Sequence, residues 1–370
     1  MEKIRIGDAC ELLNGFAFKS ENYVKEGIRI IRIANVQKGY IEDNTPAFYP
    51  ADSEGLDKYM LEENDLLMSL TGNVGRVAIL QKDMLPAALN QRVACLRLKT
   101  DRITKGYLFH LLNSDFFEQK CIQSSKGVAQ KNMSTEWLKD FLIPVYSLEK
   151  QQEITTTLDY LRDIIDKRKQ ELNKLDELIK ARFVEMFENP DNAYEEVNLD
   201  SIADIVSGIT KGRRTKCNDL REVPYMAVSN VKDGYIDWTT VKTILASEVE
   251  INQYRLMKDD VLMTEGGDPD KLGRGAIISN PPEDCIHQNH IFRVRLNENR
   301  VLPRYFSAFL QSPKAKMYFL KAAKQTTGIA TINMKQIKGL PTIVPPINKQ
   351  WEYTTFCEQV DKSKVVKLTT

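Results

Sequence analysis

Cysteine is scarce in this sequence and never closely spaced. Six occur among 370 residues, at positions 10, 95, 121, 217, 285 and 357, with no Cys-x-x-Cys pair. That argues against a disulfide framework or a zinc ribbon and fits a reducing cytoplasm. No run of about 18 apolar residues exists, so no membrane span is expected. No apolar stretch follows the charged first residues, so no secretory signal is expected either. A Gly-x-x-x-x-Gly-Lys-Ser/Thr phosphate loop is missing, which argues against ATP hydrolysis by that route. Net charge is nearly absent too, because 52 basic and 51 acidic side chains leave +1.

That neutrality hides a segregation of charge. Asn299 to Trp351 contains no Asp or Glu but nine Lys or Arg, and Ile205 to Cys217 is acid-free with Lys211, Arg213, Arg214 and Lys216. Ile41 to Asp65 carries eight acids and one Lys. Acid-free basic stretches suit a polyanion such as nucleic acid, though a solvated face gives the same pattern.

The chain is a repeat. IGDACELLNG, from Ile6, returns as LDSIADIVSG, from Leu199. Asn35-Val36 with Gly39-Tyr40-Ile41 returns as Asn230-Val231 with Gly234-Tyr235-Ile236, and Asp65-Leu66-Leu67-Met68-Ser69 as Asp260-Val261-Leu262-Met263-Thr264. Gly75-Arg76 matches Gly273-Arg274, Tyr107 to Ser114 matches Tyr305 to Ser312, and Asn132-Met133 matches Asn333-Met334. The order never changes, and the chain reads as two copies of one module. Strands are expected at Ile28 to Val36, Leu66 to Leu70, Arg76 to Leu80 and Val93 to Leu98. One helix is expected from Tyr107 to Gln123, with Leu108, Leu111, Leu112 and Phe116 on its apolar side.

Between the modules, Gln151 to Glu188 has neither Gly nor Pro. Ile154, Leu158, Leu161, Ile165, Leu172, Leu175, Ile179 and Met186 follow alternating steps of four and three, with Arg168 and Arg182 in the seam. This is a heptad pattern on a helix ~55 Å long, which wants a partner helix. Lys349-Gln350 echoes Lys150-Gln151 and opens a shorter candidate partner, continued by Phe356, Val360 and Val365. Matching the two Lys-Gln starts, the partner is expected to cover the first half of the central helix and leave Leu172 to Met186 for another protein.

Two motifs are decoys. Asn280-Pro281-Pro282-Glu283 approaches the Asn-Pro-Pro-Tyr/Phe of amino-methyltransferases, but the stacking aromatic is Glu283. Cys285, His287 and His290 have metal-like spacing, but the matching residues of the first module hold no ligands, so no metal is expected. What remains are polar loops at equivalent places, rich in side chains that hydrogen-bond base edges and in glycines that let backbone approach phosphate. For Arg76 and Arg274, guanine reading and an internal ion pair stay equally open.

Taken together, the repeated start, the Asn-Val pairs, the Asp-Leu/Val-Leu-Met-Ser/Thr strands, the segment TEGGDPDKLGRG and the Pro before Lys-Gln resemble the specificity subunit of type I restriction–modification systems. The resemblance covers nearly the whole chain. It implies an α+β chain with two mixed α/β target recognition domains, at 1–148 and 191–347. These would be separated by a central helix at 149–190 and followed by a short C-terminal helix at 348–370, the helices forming an antiparallel coiled coil. It implies double-stranded DNA as ligand, read as two half-sites about one helical turn, ~34 Å, apart. It also implies two methyltransferase subunits and restriction subunits as partners. No cofactor or catalytic residue is expected on this chain; S-adenosylmethionine, ATP and magnesium would belong to the partners. DNA contacts are assigned to Lys19, Asn73, Arg76, Gln91, Arg92, Lys126, Gln130 and Lys131 in the first module. In the second they are assigned to Lys211, Arg213, Arg214, Lys216, Glu265, Lys271, Arg274, Asn289, Lys324 and Thr327. The partner-docking stripe is assigned to Leu158, Ile165, Leu172, Leu175 and Ile179. The competing readings are a two-domain methyltransferase or nuclease with a diverged site, and a repeat adaptor that binds only protein.

Overall fold

The structure, a computed structural model, describes residues 2–125, 132–189, 193–214, 219–267, 272–326 and 329–369. It divides into two units, Met1–Arg168 and Lys169–Thr370, and the division falls inside one long helix. In chain order the first unit holds β1 (Glu2–Arg5), α1 (Ile6–Ala9), β2 (Cys10–Asn14), β3 (Ile28–Ile31), β4 (Phe48–Tyr49) and β5 (Leu66–Ser69). There follow β6 (Val77–Ile79), β7 (Ala87–Leu89), β8 (Val93–Leu98), α2 (Lys105–Leu112), α3 (Asp115–Ser124), α4 (Thr135–Asp140), β9 (Leu142–Val145) and the start of α5 (Leu148–Phe187). The second unit continues with β10 (Glu195–Asn198), β11 (Ala203–Ser207), β12 (Arg221–Met226), β13 (Lys242–Ala246), α6 (Glu248–Tyr254), β14 (Val261–Thr264), β15 (Gly266–Gly267) and β16 (Gly275–Ile277). It closes with β17 (Ile286–His287), β18 (Ile291–Leu296), α7 (Pro303–Leu310), α8 (Pro313–Ala322), β19 (Lys324–Thr326), β20 (Ile329–Thr331), α9 (Met334–Lys338), β21 (Pro341–Val344) and α10 (Ile347–Thr369).

The repeat in sequence is a repeat in topology. The first unit has sheets ordered β2-β8-β5-β6, β4-β3-β7 and β1-β9; the second has β11-β18-β14-β16, β13-β12-β17 and β10-β21, and adds β15-β20-β19. Registers agree as well, with Leu12↔Leu96↔Leu66 answered by Ile205↔Val294↔Val261. The central strand of each large sheet is buried on both faces, as its unbroken apolar run requires. Leu66 and Met68 enter one core cluster and Leu67 another; Val261 and Met263 separate from Leu262 in the same way.

The shared polar residues turn out to be structural fasteners. Asp65 accepts Arg97 Nε and Nη2 at 2.9 and 2.7 Å and the Glu62 amide at 2.8 Å. Asp260 repeats this with Arg295 at 2.7 and 2.8 Å and the Met257 amide at 2.7 Å. Asn35 accepts the Arg32 amide at 2.9 Å and donates to the Glu42 carbonyl at 2.8 Å; Asn230 does the same with Ala227 and Asp237. These bonds tie the tight hairpins closed by Val36↔Ile41 and Val231↔Ile236. The expected strand Ile28 to Val36 therefore stops at Ile31. Buried Gln151 accepts the Thr104 amide at 2.8 Å and donates to the Arg102 and Tyr146 carbonyls; Gln350 does so with Leu302, Arg300 and Pro345. The Lys-Gln echo is thus the bolt that fixes each long helix to its own module.

Two expectations need correction. Tyr107 to Gln123 is two helices, because the Ser114 side chain accepts the Phe117 amide at 3.2 Å and starts α3 afresh. The new phase leaves Phe116 67% exposed rather than on the core face. The second correction concerns the helix pair. In the second unit α10 runs antiparallel to the last turns of α5, with Arg182–Glu352 at 2.8 Å and Lys364–Asp176 at 2.7 Å. Phe183 and Phe187 pack on Tyr353, and Ile179 joins the same core. An antiparallel partner meets the C-terminal end of α5 with its own N-terminus, so α10 covers the second half and not the first. Leu158, Leu161 and Ile165 remain 38%, 48% and 55% exposed.

One buried residue predicts a pH response. His287 is fully buried between the Tyr254 and Val206 carbonyls, and burial, opposed by those carbonyls, pushes its pKa down from 6.5 to about 4. The folded state then binds the proton less readily than the unfolded chain. Stability is full above about pH 6.5 and falls by about 3 kcal/mol between 6.5 and 4. Denaturant titrations across that range should show the decline in the parent and a flatter profile in His287→Gln.

Candidate nucleic-acid interface

One end of each large sheet gathers four loops. The chain leaves β2 through Gly15, where a Cβ would lie 2.2 Å from the Asn90 carbonyl, and leaves β11 through Gly208, 2.0 Å from that of His287. Only glycine permits that approach, and it lets the next residue bridge across: Phe16↔Asn90 and Ile209↔Gln288. Beside them the Leu70 amide reaches the Arg92 carbonyl at 3.0 Å, and the Glu265 amide reaches that of His290 at 3.0 Å. The segment before the next helix closes the end, through Thr71↔Asn132 in one unit and Gly266↔Thr331 in the other.

The frame is common and the side chains it presents differ. In the first unit the end displays exposed Gln91 and Arg92, with exposed Asn73 on the β5–β6 turn. In the second, Asn289 and His290 occupy the places of Gln91 and Arg92, with Glu265 alongside. His290 Nδ1 pairs with Glu265, and His290 Nε2 lies 3.4 Å from Asn289 Nδ2. Donors and acceptors of this kind, carried on loops at one edge, are suited to base edges in a groove. His290 was missed because it stood in a metal-like run. The repeat held the signal, since His290 takes the place of a cationic residue, Arg92.

Other expected contacts are placed differently. Arg213 is committed internally: Nε and Nη2 both lie 2.6 Å from Glu250, which also accepts the Ser247 amide at the N-cap of α6. Arg213 draws the Glu250 carboxyl down to about 2, so the pair stays ionised and the arginine is not free for phosphate. Arg76 donates to Gln37. Arg274 lines a cavity of ≈ 390 Å³ with Lys232, Tyr235 and Lys316, a set that includes neither Glu265 nor Asn289. Guanine reading by Arg76 or Arg274 therefore has no support from their surroundings. Lys19, Lys211 and Arg214 are exposed, with Lys19 3.8 Å from Glu21. Lys324 opens β19, opposite Thr331. Lys126, Gln130, Lys131, Lys216, Lys271 and Thr327 lie outside the described residues. Asn280 lies in a bend and Glu283 in a turn.

Comparison with known proteins gives the family of the chain. The family model described as "Type I restriction modification DNA specificity domain" matches twice, over residues 1–177 and 192–369. The chain is 24% identical over 378 residues to the specificity subunit of type I restriction enzyme EcoKI of Escherichia coli (strain K12), covering 96% of this chain and 81% of that protein. It is 25% identical over 391 residues to the EcoBI specificity subunit of Escherichia coli, covering 97% and 78%. Among solved structures, a chain from the study of complex assembly and conformational transition of the type I R-M system superposes with a TM-score of 0.55. The identity there is 16%, with 99% of this chain and 91% of that one covered.

Proposed function

The chain belongs to the type I restriction modification DNA specificity family, as a specificity subunit, and from that premise we propose that its two modules read the two halves of one bipartite DNA site. The carrying observation is the pair of equivalent loop ends with one backbone frame and different polar faces, Gln91-Arg92 against Asn289-His290 with Glu265. Phosphate contacts would set the register, and these side chains would choose the sequence. The chain itself is proposed to be non-catalytic and to work in the cytoplasm. Methyl transfer from S-adenosylmethionine to adenine, and ATP- and magnesium-dependent cleavage, are assigned to two modification subunits and to restriction subunits. Among the described residues no helix is long and apolar enough to cross a membrane.

Exchange of residues 1–148 for the corresponding module of a divergent relative should change one half of the methylated sequence and leave the other half as it was. Methylation mapping of host DNA reads this directly. A change in both halves, or methyl transfer by the purified chain alone, would overturn the proposal.

A further inference from the structure

Resting on the reading of the chain as a DNA binder, we propose that the second module carries a sequence-independent phosphate clamp, made by Lys321, Lys335 and Lys338, that the equivalent described positions of the first module lack. Lys321 stands in the last turn of α8, and Lys335 and Lys338 lie on α9; all three are exposed. The two helices are joined there by Tyr318, whose hydroxyl donates to the Gln336 carbonyl at 2.8 Å, and by Gln336, which donates to the Ala322 carbonyl. Among the described residues none of the three lysines has an acidic partner.

The first module supplies the contrast. The N-cap serines Ser114 and Ser312 align α3 with α8, so Gln123 matches Lys321. Equivalent bonds align α4 with α9 two residues away from the sequence match of Asn132-Met133 with Asn333-Met334: the Leu138 amide to the Ser134 carbonyl answers that of Ile337 to Asn333, and the Ile6 amide to Phe141 answers that of Leu199 to Leu340. Glu136 therefore matches Lys335, and Lys139 matches Lys338. In the first module Lys139 is neutralised by Glu136 at 2.9 Å, three residues earlier. In the second that acid has become a lysine, and two like charges face each other one helical turn apart. Such a pair weakens a helix, so the fold gains nothing from it.

Its position says what it serves. From Lys321 the chain passes within three residues into β19, whose hairpin partner β20 pairs with Gly266–Gly267, next to Glu265. A duplex read at Glu265 and Asn289 would carry its backbone past this edge. Lysine suits the task, being a point charge on a flexible stem that grips phosphate without demanding one base.

The test is binding of the full chain to a 40-base-pair duplex of mixed sequence across a potassium chloride series, comparing the parent with the triple variant Lys321→Gln, Lys335→Gln and Lys338→Gln. Each lost phosphate contact lowers the slope of log affinity against log salt by about 0.9. The variant should therefore lose about two to three in slope and keep the parent's thermal melting. A variant slope equal to the parent's would overturn the clamp while leaving the DNA-binding reading intact, and would point the lysines to an acidic protein surface. A parent chain with no salt-dependent binding would overturn both.

Discussion

Asp260→Ala should destabilise the second unit by about 3–5 kcal/mol, and Asp65→Ala the first unit by a similar amount. Asp260 is 1% exposed, and its two oxygens are filled by Arg295 and the Met257 amide. Removing the carboxylate strands a guanidinium that is about two-thirds buried, with a backbone donor beside it. The loss exceeds that of a surface pair, worth about 0–1 kcal/mol, because water cannot easily replace the missing partner. Chemical denaturation should show one of two transitions moving to lower denaturant, the other staying in place. If both variants melt like the parent, the buried carboxylates are not fasteners.

Leu158→Asp combined with Leu161→Asp should abolish assembly with a modification subunit while leaving both modules folded. These side chains lie on the part of α5 that packs on the first module through Gln151, Ile154 and Thr155, yet they remain open to water. Burying a leucine contributes about 1.5–3 kcal/mol, so two charges in a docking stripe remove several kcal/mol of association. Ile179→Asp should behave otherwise, unfolding part of the second unit because Ile179 already belongs to its core. Size-exclusion chromatography of the co-expressed subunits separates the two outcomes. Full assembly of the double variant would remove this stripe as the dock.

The contrast between these variants shows what was legible in the sequence. Repetition made the module visible, since each fold-determining residue occurs twice in order, and the heptad pattern made the long helix visible. The antiparallel direction was legible; which half of the central helix the partner covers was not. Matching Lys150-Gln151 to Lys349-Gln350 treats the two helices as equivalent in role, which they are, and as sharing one end, which they do not. Each Gln bolts its helix to its own module, and neither says which turn of the other helix lies alongside. The site was legible as loops and only partly as residues. Arg213 and Glu250 are 37 positions apart, and no local pattern announces that the guanidinium is committed. Arg76 has its partner, Gln37, at a similar distance along the chain. Gln91 and Asn289 were singled out through the repeat, and both follow the close approach that Gly15 and Gly208 permit.

The seam between α5 and α10 has a consequence for synthesis. The first unit closes with residues up to Arg168, so it can fold soon after that stretch leaves the ribosome. Phe183 and Phe187 must wait for Tyr305, about 120 residues later, and for Tyr353, about 170 residues later, while the second module is translated. At 5–20 residues per second the wait for Tyr353 is roughly 10–35 seconds, in which the native cover of two aromatic rings is incomplete. A nascent chain halted before Tyr353 would present a finished first unit followed by a sticky helical tail. Chaperone engagement should accordingly concentrate on chains stalled between about 190 and 350 residues, and ribosome profiling of chaperone-bound nascent chains would show where it begins.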